Sequence, residues 1–222
     1  IASCLVGSEM CIRDRTEPGA GSDVRGLSTT IRRDGERYLV TGRKKFITRA
    51  STADWFAVVG RAEDDPSVFI AVLMPRDAKG FRIGAEVEKL GWFGVPISSL
   101  EFDAVEVSAS HRLGAEGDGF SLAQDALLRA RIGHAAMALG RAIGAVEIAS
   151  RYASDRTVFG KREGEHQGVQ WMLADMVTQI EASRALLALT ADKYDTGASD
   201  VSIFASMAKL QATDLCMNCL LY

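Results

Sequence analysis

The sequence predicts an α+β chain in two parts: a β-barrel or β-sandwich domain, then an up-down helical bundle. Residues 27 to about 102 run as short stretches of alternating apolar and polar residues, separated by turn chemistry. From Asp118 onward the apolar residues recur at every third or fourth position, which is the period of a helix face. Between the two regions lies Gly114-Ala115-Glu116-Gly117. That stretch marks the boundary and assigns residues 16–114 to the β-domain and 115–222 to the helical one.

Taken in order, Leu27 to Arg33 and Arg37 to Thr48 flank Asp34-Gly35, and Asp-Gly between two such runs signals a hairpin. Gly42 sits inside the second run, where a glycine suggests a bulge or bend. Trp55 to Gly60 and Val68 to Met74 are apolar runs parted by the charged turn Glu63-Asp64-Asp65-Pro66, and Phe81 to Val87 alternates again. In the helical region Leu128, Ile132, Ala135, Leu139, Ile143 and Val146 share one face. Gly133, Gly140 and Gly144 permit close helix approach there, though each costs about 1 kcal/mol of intrinsic helix stability relative to Ala. A second helix is predicted from Gln167 to about Tyr194 with Met172, Met176, Ile180 and Leu187 inward, ended by Asp195-Thr196-Gly197. Ser199 is placed to cap a third helix starting near Asp200.

The 222 residues are 47% hydrophobic and 25% charged, with a net charge of −3. That balance gives no electrostatic case for nucleic acid or an anionic membrane. No run reads as long enough to span a bilayer, so no membrane insertion is expected. Cys4 and Cys11 lie near one end, Cys216 and Cys219 near the other. A zinc site would need further ligands at suitable spacing, and no metal is expected.

Thr16-Glu17-Pro18-Gly19-Ala20-Gly21-Ser22-Asp23 concentrates hydroxyls, glycines and acids just before the first strand-like run. Pro18-Gly19 reads as a turn. Gly21 lets backbone approach a ligand, and Thr16 and Ser22 offer hydroxyls to either side. Taken alone the stretch is a polar loop turn. It is not a dinucleotide fingerprint, because Val24 stands where a third glycine would be needed and no helix follows. Lys44-Lys45-Phe46-Ile47-Thr48 taken alone is a strand end with solvated lysines and a core Phe, and Arg156-Thr157-Val158-Phe159-Gly160-Lys161 is a basic turn.

These strings together resemble the acyl-CoA dehydrogenase family, from about Thr16 to about Asp214. The resemblance implies an FAD enzyme whose middle β-domain and incomplete helical domain are present. It places the Thr16 hydroxyl on the flavin ring, and Gly21 and Ser22 at the FAD pyrophosphate and the CoA portion of the substrate. Phe46 and Thr48 would lie against the flavin, with Thr48 near N5. Arg156 would reach FAD in a neighbouring subunit, Phe159 and Gln167 would contact the cofactor, and Arg131 would contact CoA. His166 is expected to be structural or capping. The family pattern is altered at Val158, at Leu128, and at Phe93 and Ile97 where relatives carry Arg and Thr.

The implied reaction is α,β-dehydrogenation of an acyl-CoA, as in fatty-acid β-oxidation, with electrons passed to an electron-transfer flavoprotein. A homodimer or homotetramer in the bacterial cytoplasm or mitochondrial matrix is implied as well. An acyl-CoA oxidase or flavin monooxygenase on the same scaffold, or a non-catalytic flavin- or CoA-binding chain, are the alternatives. The general base is a Glu expected beyond Tyr222; Ala130 stands at the alternative position for it, and Glu147 and Glu181 read as helix-face acids. The 222-residue chain alone is accordingly expected to be inactive. Residues 1–15 and about 215–222 resemble translated sequencing adapter and are expected to be non-native.

Overall fold

The computed structural model describes residues 11–222, so Cys4 and most of the expected leader lie outside the described residues. The β region comprises β1 (Cys11–Asp14), β2 (Thr30–Asp34), β3 (Arg37–Thr48), β4 (Trp55–Ala62), β5 (Phe69–Pro75), β6 (Phe81–Glu86) and β7 (Ile97–Ser108). These form one mixed sheet in the order β1-β4-β2-β3-β7-β6, with β5 on β4. β4 pairs antiparallel with β5 from Trp55 to Arg61. It pairs parallel with β1 at Trp55–Val58 and with β2 at Arg61–Ala62. A strand has two edges, so β1 and β2 share one edge of β4.

The sheet curls around its main core. Ile31, Tyr38, Val40, Phe56, Val58, Val72, Met74, Leu100 and Val105 are buried together, with Phe81 and Ile83 of β6 packed on them. Residues of β4 and β5, near one end of the order, therefore meet those of β6, at the other end, in one cluster, as the predicted barrel or sandwich requires.

The β2–β3 hairpin forms around Asp34-Gly35 as predicted, with Gly35 at φ +60°. Gly42 takes φ +149° at a register shift, but the extra residue is on the facing strand, between Phe102 and Val105 of β7, where Ala104 takes φ +45°. The irregularity predicted at Gly42 is there, and the bulge itself belongs to β7. The strand predicted from Leu27 instead begins at Thr30. Ser28 and Thr29 give their backbone N–H groups to the Glu17 carboxylate, at 2.5 Å and 3.1 Å, and so have none left for a ladder.

The helical region holds α1 (Gly119–Asp155), β8 (Thr157–Val158), β9 (Lys161–Arg162), α2 (Gln167–Asp195) and α3 (Val201–Leu221). The chain divides into two compact units between Gln124 and Asp125. The first turn of α1 belongs to the β unit, where Phe120, Leu122 and Ala123 pack with Ala20, Leu27, Val59, Phe69 and Ala71.

In the second unit the three helices bury Ala135, Ala138, Leu139, Ala142, Val146, Met176, Ile180, Ala208, Ala212, Leu215, Cys216 and Cys219. Alanines make the close contacts; a Cβ at Gly133, Gly140 or Gly144 would meet nothing within 4 Å. Met172 is corrected: it is 48% exposed, and Leu173 joins Met176, Ile180, Leu186 and Leu187 against the core. Helix geometry favours 173, 176, 180 and 187 as one stripe.

Thr196 ends α2 and Gly197 follows at φ +69°. The residue at the N-cap of α3 is Asp200, not Ser199, and its side chain does not cap. Its carboxylate instead takes Lys193 Nζ at 2.8 and 2.9 Å. The expectation about bilayer-length runs is corrected too, since α1 is long and apolar enough by length and composition to cross a membrane, an 18-residue stretch of it having a mean hydropathy of 1.2. Its many alanines raise that value, and its buried stripe packs on α2 and α3.

Candidate functional site

In the β unit, the Thr16–Asp23 stretch folds back on itself. Glu17 and Ala20 exchange two backbone hydrogen bonds, at 3.0 and 3.2 Å, with Pro18-Gly19 as the turn between them. Neither Gly19 nor Gly21 has positive φ, and a Cβ at either would meet nothing within 4 Å. The fold of this unit therefore gives no reason for either glycine. A side chain there would obstruct only something approaching the backbone from outside.

The loop is fixed to β3 next to the predicted ring-facing residues. Lys45 N–H donates to Thr16 C=O at 2.8 Å. One residue on, β3 breaks register between Lys44 and Ile47, and Phe46 takes φ +60°. Arg49 follows at φ +58°, with its N–H on Pro96 C=O at 2.6 Å. Left-handed backbone at residues other than glycine costs energy and clusters at functional sites. A bulge re-aims side chains, and here it leaves Phe46 52% exposed and Thr48 half-buried. Lys45 Nζ lies 4.8 Å from the Phe46 ring centre.

Beneath this surface are two residues that sequence reasoning missed. Lys44, expected to be solvated, is fully buried and pairs with Glu17 at 2.8 Å, both side chains being inaccessible. Lys44 Nζ also donates to Val59 C=O at 2.7 Å and Arg15 C=O at 3.3 Å, matching the three donors of an ammonium. Glu17 further accepts from Ser28 Oγ at 2.6 Å. A signal was present: Tyr38 and Val40 point inward, and continuing by twos reaches Gly42 and Lys44.

Burial pushes the Glu17 carboxyl up. The Lys44 charge, with hydrogen bonds from Lys44, Ser28 and Thr29, outweighs it and brings the pKa from 4.5 down to about 2. A depressed folded-state pKa stabilises above the unfolded value and is lost as pH falls through the folded one. The β unit is therefore expected to lose stability between about pH 4.5 and 2. Denaturant titrations across that window check this, and Glu17→Gln is expected to flatten the dependence.

The hydroxyls of Thr16, Ser22 and Thr48 make no hydrogen bond among the described residues. Free hydroxyls, an exposed aromatic side chain and two glycines open to approach fit a flat, polar-edged group such as the flavin ring with its phosphates.

In the helical unit, β8 and β9 form a hairpin with Phe159-Gly160 at its tip, at φ +50° and +78°. Positive φ at both turn residues matches the strand twist. Phe159 is 92% exposed at that tip, 6.4 Å from the His166 ring. His166 holds the N-cap position of α2 without capping by its side chain, and its Nε2 lies 3.4 Å from Val158 O. Gln167 opens α2 and is exposed, as is Arg156; Arg131 is half-buried on α1. Arg156, Tyr152, Ile148, Arg151 and Asp155 line an open groove at the end of α1. Glu147 and Glu181 are exposed, the latter 3.3 Å from Arg184. No group of three metal-ligating side chains occurs among the described residues.

Two family models match this chain: acyl-CoA dehydrogenase, middle domain, over residues 14–105, and acyl-CoA dehydrogenase, C-terminal domain, over residues 117–221. The chain belongs to the acyl-CoA dehydrogenase family. It is 39% identical over 207 residues to cyclohex-1-ene-1-carbonyl-CoA dehydrogenase of Geobacter metallireducens, covering 91% of this chain and 54% of that protein. Its fold is similar to butyryl-CoA dehydrogenase from Megasphaera elsdenii, with a TM-score of 0.93 at 33% identity, covering 98% of this chain and 57% of that one. It is also similar to a chain in a structure of the electron transferring flavoprotein of Acidaminococcus fermentans, with a TM-score of 0.92 at 35% identity, covering 98% and 58%. The chain thus spans little more than half the length of these relatives.

Proposed function

We propose that the whole protein is an FAD-dependent acyl-CoA dehydrogenase that converts an acyl-CoA to its 2,3-enoyl thioester. The observation that carries this is the docking of the Thr16–Ser22 loop on β3 at Lys45, one residue before the bulged Phe46. Bound FAD supplies the hydride acceptor for the β-hydrogen of the acyl chain. Thr16 and Thr48 are assigned to its polar ring edge, Phe46 to its face, and Gly21 and Ser22 to phosphate. Arg131 is assigned to CoA.

Arg156, Phe159 and Gln167 are assigned to the cofactor of a second subunit in a dimer or tetramer. An exposed phenyl held at a left-handed turn position suits contact with something outside its own unit. A carboxylate must take the α-proton. Ala130 cannot, so the base is assigned to the part of the whole protein outside these residues. Likeness to a chain in a flavoprotein structure supports an electron-transfer flavoprotein as acceptor. The site of action is placed in the bacterial cytoplasm or the mitochondrial matrix.

The test uses the full-length protein. Acyl-CoA thioesters added without oxygen are expected to bleach the visible flavin band, and electron-transfer flavoprotein to restore it. A preparation that binds no FAD would overturn the assignment. Rapid restoration by air would favour the oxidase or monooxygenase. The 222-residue chain alone is expected to turn over no acyl-CoA with a dye acceptor.

A further inference from the structure

We infer that the buried Glu17–Lys44 ion pair is a positioning device for the flavin site, registering the Thr16 hydroxyl against Phe46 and Thr48. This rests on the proposed cofactor. Thr16 lies between Arg15, whose carbonyl accepts from Lys44, and Glu17, whose carboxylate pairs with it. Lys44 in turn immediately precedes Lys45, whose N–H holds Thr16 C=O. One ammonium thus holds the Arg15 backbone on one side of Thr16 and the Glu17 side chain on the other, and Lys44 lies two residues before Phe46. Its bond to Val59 C=O ties the assembly to β4, and Glu17 ties it to Ser28 and Thr29.

Neither side chain of the pair is accessible, so neither Glu17 nor Lys44 touches a ligand; they act through Thr16 and the bulge. A buried pair is a weak source of net stability, since apolar residues of similar size often replace it without loss, whereas fixing one arrangement among several is its best-attested use. A carboxylate and an ammonium with all their partners in place leave the loop one register on β3. An apolar pair would leave it free to slide. Binding sites tolerate displacements of only about 0.5 Å.

The experiment uses full-length protein and the double variant Glu17→Gln/Lys44→Met. FAD affinity, the visible flavin spectrum, the flavin reduction potential and thermal unfolding of the apoprotein are read on both. The double variant is expected to unfold within a few degrees of wild type, to bind FAD about tenfold or more weakly, and to show a shifted flavin spectrum and potential. A folded double variant whose affinity and spectrum match wild type would overturn the inference while leaving the cofactor assignment intact. Wild type that binds no FAD would overturn both. If the double variant does not fold, Glu17→Asp carries the same test, because it keeps the charge and withdraws the carboxylate by one methylene. A weakened affinity with a shifted spectrum supports positioning, and values equal to wild type overturn it.

Discussion

Lys44→Met alone is expected to destabilise the β unit by about 3–5 kcal/mol, because it leaves the Glu17 carboxylate buried without its cation. The loss also strips Val59 and Arg15 carbonyls of a donor. Met matches the length and apolar stem of Lys, so little of the effect comes from an empty cavity. Urea unfolding of the full-length protein at neutral pH measures it. Adding Glu17→Gln to the same chain is expected to recover most of the loss. The contrast separates the cost of an unpaired charge from the worth of the pair, and equal destabilisation in the two variants would refute the account.

Gly42→Ala is the second large effect, expected at about 2–4 kcal/mol. The backbone there is at φ +149°, where side chains are strained, and a Cβ would lie 2.7 Å from the Thr29 Cα and 2.6 Å from its Oγ1. The Thr29 backbone cannot yield without moving its N–H away from Glu17. The substitution is therefore expected to weaken FAD binding as well as stability, although residue 42 lines no proposed contact. By contrast, Gly35→Asn, at a hairpin position with φ +60° and open space, is expected to cost under about 1 kcal/mol. Parallel thermal melts of the two variants check the ranking.

The hairpin around Asp34-Gly35, the irregular backbone at Gly42 and the change of period after Asp118 were legible in the sequence because each depends on local residue chemistry, whereas the bulge facing Gly42 in β7 was not. So was the loop turn at Pro18-Gly19. The parallel pairing of β4 with β1 and β2 was not legible, since nothing local in Trp55 to Ala62 records which strands lie beside it. Lys44 was misjudged because charge outweighed register: the alternation set by Tyr38 and Val40 runs through it. Glu17 was hidden for a different reason. Its partners Ser28, Thr29 and Lys44 come from segments that meet only in the folded chain. Met172 shows a smaller failure, in which a spacing of four fits a helix face almost as well as the three that the packing uses.

The way β1 and β2 share β4 has a consequence for the order of assembly. The β2–β3 and β4–β5 hairpins join strands that follow each other closely, Asp34 to Arg37 and Ala62 to Phe69. β1 meets β4 only when Cys11 is brought beside Trp55, and Glu17 meets Lys44 across 27 residues. Loop-closure entropy makes distant pairings late ones. Contacts made late slow unfolding far more than they speed folding. The Thr16–Ser22 loop is thus expected to dock only after the β2–β3 and β4–β5 hairpins have formed. Native-state hydrogen exchange is expected to show the Lys45 amide, which holds Thr16, opening at lower free energy than the β4 amides paired with β5. The unit would then expose the face proposed for the cofactor by local opening, before its core is lost.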